Sequence, residues 1–315
     1  MSGSLLESVG KYCFCGSEIE EIMLPGTLRD IGDSTFKACL SLRMVYVEDG
    51  CQASLSDTGL LSSVQVIPSP AAVGGASVLD LRLVKYVIIP EGVARIGSYW
   101  FWGSGIEGVE IPASGREIGA CAFSGCRKLN RLVSRTDATH EAESGSDGTQ
   151  SCGNRLKIIG REAFYNCVSL KNVELPDGLE EIGLNAFGVS GLEGFVAPRA
   201  LRTIHQGAFF ACVRFKKAVL NEGIEVLGTA EYHDNGEPLY GVFEGSTLGS
   251  VVFPSTLKRI EYSAFCHCGC LKSVVLPEGL EGLGERCFAQ SGLRQISLPR
   301  SLRHIGEDAL SSHRL

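Results

Sequence analysis

The 315-residue sequence predicts a single curved, β-rich repeat solenoid with little helix. Three observations predict it. Phenylalanine recurs at a fixed interval, and each recurrence carries the same apolar pattern. Glycine is over-represented at 39 residues, about 12% against the usual ~7%.

Phe14, Phe36, Phe101, Phe123, Phe164, Phe187, Phe209, Phe243, Phe265 and Phe288 share one local pattern, and Leu310 takes the same slot at the end. The gaps between them are 22, 65, 22, 41, 23, 22, 34, 22, 23 and 22 residues. A period of 22–23 follows. The gap of 65 is close to three periods and holds worn repeats over about 51–90, with Val78 in the phenylalanine slot of one of them. The gaps of 41 and 34 contain insertions at about 134–154 and 229–240. About thirteen units cover 1–315, so one elongated solenoid replaces the two domains that length alone suggests.

Each unit begins with an apolar stretch such as Leu271, Val274 and Leu276, whose last residues alternate as in a strand. A proline then ends it, at Pro25, Pro90, Pro112, Pro176, Pro198, Pro254, Pro277 and Pro299. Proline fixes its own φ and lacks a donor, which suits the first corner of a turn. A second stretch returns the chain to an aliphatic residue five before the phenylalanine, such as Ile118, Ile159 or Ile182. Glycine usually follows, as in Gly119, Gly160 and Gly183, and is expected to supply a backbone angle other residues avoid. Two sub-types alternate after the phenylalanine. The long one has Cys three residues on (Cys39, Cys126, Cys167, Cys212, Cys268); the short one has Ser (Ser17, Ser104, Ser190, Ser246, Ser291). One unit cannot bury its apolar face alone, whereas stacked units make a continuous core with a parallel strand ladder on the concave side.

Composition excludes several classes. At 44% hydrophobic and 21% charged, the chain is too apolar for intrinsic disorder. No apolar run reaches the roughly 18 residues of a membrane span. A net charge of −7 with scattered Lys and Arg argues against nucleic acid. Met1 to Phe14 shows no secretory signal pattern, and thirteen cysteines, an odd number, fit a reducing compartment. These two observations favour the cytoplasm, with the cell surface or secretion as the alternative.

The units resemble the BspA-like leucine-rich repeats, whose 23-residue unit reads L-x-x-L-x-L-P-x-x-L-x-x-I-G-x-x-A-F-x-x-C, from Leu6 to Leu310. That resemblance implies a curved solenoid with a strand ladder on its concave side. It also implies the cell-surface adhesion role associated with bacterial members.

The slot shared by Cys and Ser points to a small inward side chain that reaches neighbouring backbone. The alternation places most of these cysteines two coils apart, about 10 Å, too far for a disulfide. Cys126 and Cys167 are consecutive, so a bridge is open only there. Cys266-His267-Cys268-Gly269-Cys270 suggests a metal cluster, but Cys268 occupies the repeat slot and no second Cys or His pair follows at zinc-site spacing. It reads as a Cys-rich repeat segment, with a metal or redox protein as the remaining alternative. His205 replaces the turn glycine and reads as a surface variant. No nucleophile elbow, phosphate loop or zinc-protease motif occurs, so no enzyme activity and no cofactor are expected.

A binding surface is more legible. In each strand the residue between the last two core positions faces the concave side: Met23, Tyr46, Ile88, Glu110, Val133, Glu174, Val196, Val219, Val252, Val275 and Ser297. Val133, Glu174, Val196, Val219, Val252 and Val275 are the expected protein-binding stripe, since exposed apolar residues on a curved sheet mark interaction sites. The adjacent column, including Gly194, Ser250 and Ser273, is small or polar and leaves the valines accessible. Neither end shows a polar cap, which suggests edge-to-edge self-association. The function expected is a non-enzymatic scaffold that binds a protein on its concave face.

Overall fold

The computed structural model describes residues 6–42, 44–47, 51, 53, 58, 65–68, 85–89, 93–134, 155–229 and 240–312. Among the described residues there is no helix. Eleven strands of three or four residues are β2 (Glu21–Leu24), β4 (Met44–Val47), β5 (Gln65–Pro68), β6 (Tyr86–Ile88), β8 (Gly108–Ile111), β10 (Arg131–Ser134), β13 (Gly194–Val196), β15 (Lys217–Val219), β17 (Ser250–Val252), β19 (Ser273–Val275) and β21 (Gln295–Ser297). Eleven strands of two residues are β1 (Ser8–Val9), β3 (Asp30–Ile31), β7 (Arg95–Ile96), β9 (Glu117–Ile118), β11 (Ile158–Ile159), β12 (Glu181–Ile182), β14 (Thr203–Ile204), β16 (Val226–Leu227), β18 (Arg259–Ile260), β20 (Gly282–Leu283) and β22 (His304–Ile305). Most coils contribute one of each kind, and every pairing among the described strands is parallel. The long strands form the sheets β2-β4-β5, β10-β8-β6, β13-β15-β17 and β19-β21; the short ones form β1-β3, β14-β12-β11-β9-β7 and β16-β18-β20-β22.

The described coils are fewer than the thirteen units counted in the sequence, because the unit centred on Val78 lies outside the described residues. The barely legible unit near Cys51 does form a coil: β5 pairs with β4, and Thr58 O accepts the Phe36 N–H at 2.7 Å. Most of both insertions, 135–154 and 230–239, also falls outside the described residues. The stacking on either side of them is unbroken. β9 pairs with β11 across the first, and β15 with β17 across the second.

Between its short and long strands each coil makes a six-residue turn centred on the phenylalanine. That turn bonds to the next coil as a ladder of its own. Cys121, Phe123 and Gly125 donate N–H to Arg161, Ala163 and Tyr165 carbonyls, each at 2.8 Å. The alternation is achieved by left-handed residues two before and two after the phenylalanine, such as Asn185 (φ 52°) and Val189 (φ 56°) around Phe187. For a β-branched valine this conformation is strained by about 1–2 kcal/mol, which the inter-coil bonds and core packing must offset.

The core is a column of rings. Phe101, Phe123, Phe164, Phe187, Phe209, Phe243, Phe265 and Phe288 stack in sequence with centroids 5.0–5.7 Å apart and planes within 15°. The spacing is 5.2 Å both across the 41-residue gap (Phe123–Phe164) and across the 34-residue gap (Phe209–Phe243). Phe195 in β13, Phe215 just before β15 and Phe253 just after β17 pack on this column, leaving Phe210 as the one phenylalanine outside the core slots; it stacks on Tyr240 at 3.8 Å. Truncating a buried ring leaves a cavity, so Phe187→Ala and Phe265→Ala should each cost about 3–5 kcal/mol in chemical denaturation.

The cysteine slot behaves as a second column. Cys39, Cys126, Cys212 and Cys268 donate Sγ–H to the carbonyl of the phenylalanine one coil back (Phe14, Phe101, Phe187, Phe243) at 2.9–3.1 Å, and Cys167 to Phe123 at 3.2 Å. The serine of the short coil fills the same layer: Ser104 Oγ lies 3.2 Å from Cys126 Sγ, and Ser190 Oγ 3.4 Å from Cys212 Sγ. All twelve described cysteines are free thiols, nine of them buried. Burial pushes the thiols of Cys126 and Cys212 up to about 11 and those of Cys268 and Cys287 up to about 12, from an ordinary 9.0. The folded chain keeps these protons at pH values where the unfolded chain releases them. Stability should therefore be fully present below about pH 9 and be lost as pH rises through about 11–12, measured as denaturation midpoint against pH.

The glycine after the short strand has a different reason from the one expected. At Gly119, Gly160, Gly183 and Gly284 φ is not left-handed; a Cβ there would instead meet backbone of the previous coil. At Gly183 the nearest atoms are Arg161 N and Gly160 C at 2.8 Å. Close approach of coils, not a special angle, selects glycine here. Gly183→Ala should lower stability by about 1–3 kcal/mol through forced displacement of the coils. Gly269→Ala, where a Cβ meets nothing within 4 Å, should leave the melting temperature unchanged.

Candidate protein-binding face

The long strands carry alternate side chains inward and outward, so each offers two outward positions. In β13-β15-β17 the inward residues are Phe195, Ala218 and Val251, and the outward ones form two rows. One row is Val196–Val219–Val252 and the other Gly194–Lys217–Ser250, both set by direct pairing. The same phase continues in β19-β21, where Val275 pairs with Ser297 and Ser273 with Gln295. In β6-β8-β10 the equivalent row is Ile88–Glu110–Val133, beside Tyr86–Gly108–Arg131. Met23 starts the row in β2 and is 60% exposed; the side chain of Tyr46 in β4 lies outside the described ones.

Exposure sorts these residues. Val196, Val252 and Val275 are 72%, 49% and 86% exposed. Val219 and Val133 are only half-buried, against the expectation that the whole row faces water. Val219 sits on the middle strand with a valine paired on each side, so its neighbours cover its flanks. Val133 lies beside Glu110 on an edge. Glu174 is exposed but not in a strand: residues 171–176 form none, and the long-strand ladder breaks between β10 and β13. The coil stays in place through the bond from Glu193 N–H to Lys171 O at 2.9 Å, so Glu174 continues the row without pairing.

The adjacent row keeps the valines open. Gly194, Ser250 and Ser273 add little or no side chain beside them. Further along, Tyr86 lies over Gly108, where a Cβ would come within 2.7 Å of the ring, so that part of the face is aromatic and flat. Charge borders the strand starts: Lys216 pairs with Glu193 at 3.2 Å and Lys85 with Glu107 at 3.4 Å. The Lys216 ammonium holds the Glu193 carboxyl below the usual carboxylate range. The face thus carries three well-exposed valines, Val196, Val252 and Val275, among polar and half-buried neighbours, with cross-strand ion pairs along one border.

On the opposite, short-strand side the surface is charged. Lys157, Glu180 and Arg202 stand in consecutive coils with alternating sign, and Lys157 Nζ meets Glu180 Oε1 at 2.7 Å. Opposite charges directly across strands stabilise by about 0.2–1 kcal/mol a pair and disfavour slipped stacking. His205, in the glycine slot, is half-buried with Nε2 3.1 Å from Glu181 Oε1, which makes it part of this charged side. No helix among the described residues is long and apolar enough to cross a membrane.

The repeat, the parallel ladders and the phenylalanine column together define a leucine-rich-repeat solenoid. The chain matches the model of the BspA type leucine rich repeat region in six copies, over residues 3–58, 75–143, 149–235 and 240–315, and belongs to that family. No curated protein matches it. Among solved structures it is similar to a leucine rich repeat protein of T. pallidum, at 27% identity over 59% of this chain and 77% of that one, with a TM-score of 0.47. A leucine-rich repeat protein from Bacteroides ovatus is 22% identical over 97% of this chain and 80% of its own, with a TM-score of 0.48. A leucine rich cell surface protein from Faecalibacterium prausnitzii is 17% identical over 98% and 86%, with a TM-score of 0.36. These relatives lend no weight to the cytoplasmic preference drawn from the sequence.

Proposed function

We propose that this chain is a non-enzymatic scaffold that binds a protein partner on its long-strand face, through the row Val133, Glu174, Val196, Val219, Val252 and Val275. One observation carries the reading: three valines of that row, Val196, Val252 and Val275, are between 49% and 86% exposed, and the outward residue beside each in its own strand is Gly194, Ser250 or Ser273, too small to cover it. Contiguous apolar surface on a soluble fold is costly to keep unless it is used. A sheet held by a continuous core presents that surface already ordered, so little conformational entropy is lost on binding. Membership of the BspA type family gives the second reading, in which the same face serves adhesion at a cell surface and the partner is an extracellular protein. Both readings use the same residues and differ in where the partner resides.

Proximity labelling with the intact chain, set against a Val196→Glu/Val275→Glu variant, tests the face. Strand substitutions on an exposed face cost at most about 1 kcal/mol, so the melting temperature should barely move. Partners labelled by the parent chain should be lost from the variant. Identical labelling would place the interface on the insertions or the short-strand side. A collapse in melting temperature would mean that these valines belong to the core.

A further inference from the structure

The turn column beside the phenylalanine rings brings together three metal-binding side chains, the adjacent Cys266 and His267 and, from the preceding coil, Glu244. Glu244 follows Phe243, and Cys266 follows Phe265, so the two occupy the same position on consecutive coils whose rings stack at 5.4 Å. His267 comes next, in the left-handed conformation (φ 58°) that the turn imposes. One ligand atom from each residue lies within 4.8 Å of the other two. Glu244 is further oriented by its Oε2, which accepts the Gly241 N–H at 2.8 Å. Cys266 is buried, Glu244 half-buried and His267 exposed, so the group runs from the core to solvent with an open side.

Thiolate, imidazole and carboxylate are the donors that zinc-class cations take, and three protein ligands with an open fourth position is the arrangement of accessible zinc sites. Bonds of about 2.0–2.3 Å put tetrahedral ligand atoms roughly 3.3–3.8 Å apart, so these three, within 4.8 Å of one another, need to draw in by at most about 1.5 Å. We propose that Glu244, Cys266 and His267 form a three-ligand site for a zinc-class divalent cation. The neighbouring thiols take no part. Cys268 donates to Phe243 O at 3.1 Å, Cys287 bonds Ala309 O at 3.8 Å, and Cys270 is exposed on the next turn. Arg286, from the following coil, stands close to the Cys266 thiol and Glu244, where its guanidinium fills the cationic role without metal. Half-buried, it must swing aside when a cation enters. The sequence hides this site because Glu244 lies 22 residues before Cys266, one repeat away rather than in a local motif.

Titration of the intact, chelator-stripped chain with Co²⁺ tests the site by the thiolate-to-cobalt charge-transfer band. One Co²⁺ per chain should bind with that band, and Zn²⁺ should displace it. Cys266→Ser should abolish the band, while Glu244→Gln and His267→Ala should each weaken binding at least about tenfold. Cys270→Ser should change nothing, and Arg286→Ala should bind at least as tightly as the parent. No stoichiometric Co²⁺ with a thiolate band, its persistence in Cys266→Ser, or its loss in Cys270→Ser would each overturn the proposal. Should Cys266→Ser fail to fold, the exposed His267→Ala decides: binding as tight as the parent's overturns the site.

Discussion

The structure depends on the contact between one phenylalanine ring and the next. Rings 5.0–5.7 Å apart match the rise of a parallel strand ladder, about 4.8 Å, closely enough that ring stacking and backbone pairing can be satisfied in the same coil. Aliphatic residues could fill the same volume. A flat ring stacked between its neighbours also fixes the rotation of each coil about the stack, since neighbouring planes stay within 15°. The turn around each ring then becomes a third line of inter-coil hydrogen bonds, and the cysteine three residues on bonds back to the phenylalanine carbonyl of the preceding coil, with the serine of the short coil against its sulfur. Ring, turn and thiol form one device repeated along the chain.

That device explains the tolerance of the fold to insertion. Between Phe123 and Phe164, and between Phe209 and Phe243, many more residues intervene than one coil uses, yet the rings meet at 5.2 Å in both places. An added segment costs only loop-closure entropy if it leaves from the surface between slots. It also explains why the outward face can be apolar. The inward residues and the ring column fill the core, so Val196, Val252 and Val275 of the outward row are not needed for packing.

Much of this was legible because the repeat averages over accident. A lone Phe or Cys says little, whereas ten phenylalanines in one slot identified the core column, and Cys exchanging with Ser identified a small side chain bonding to backbone. The phase of the long strands followed from the same alignment and placed Val196, Val252 and Val275 outward. What stayed hidden depends on neighbours outside the unit. The role of Gly183 comes from the backbone of the preceding coil, at 2.8 Å, which no local pattern encodes. The half-burial of Val219 comes from the valines paired on either side of it. The loss of strand at 171–176 has no sequence marker: Lys171-Asn172-Val173-Glu174-Leu175 fits the unit as well as its neighbours do.

Native-state hydrogen exchange at the phenylalanine-slot amides tests the central claim most directly. Phe123, Phe164, Phe187, Phe209, Phe243 and Phe265 each donate N–H to the next coil inside the core, although none lies in a strand. Their exchange should be as slow as that of the buried strand amides at Val109, Phe195 and Ala218, reflecting opening of the whole stack. Exchange at those phenylalanines close to unfolded-chain rates, with the strands still protected, would show that the ring column does not hold the coils together.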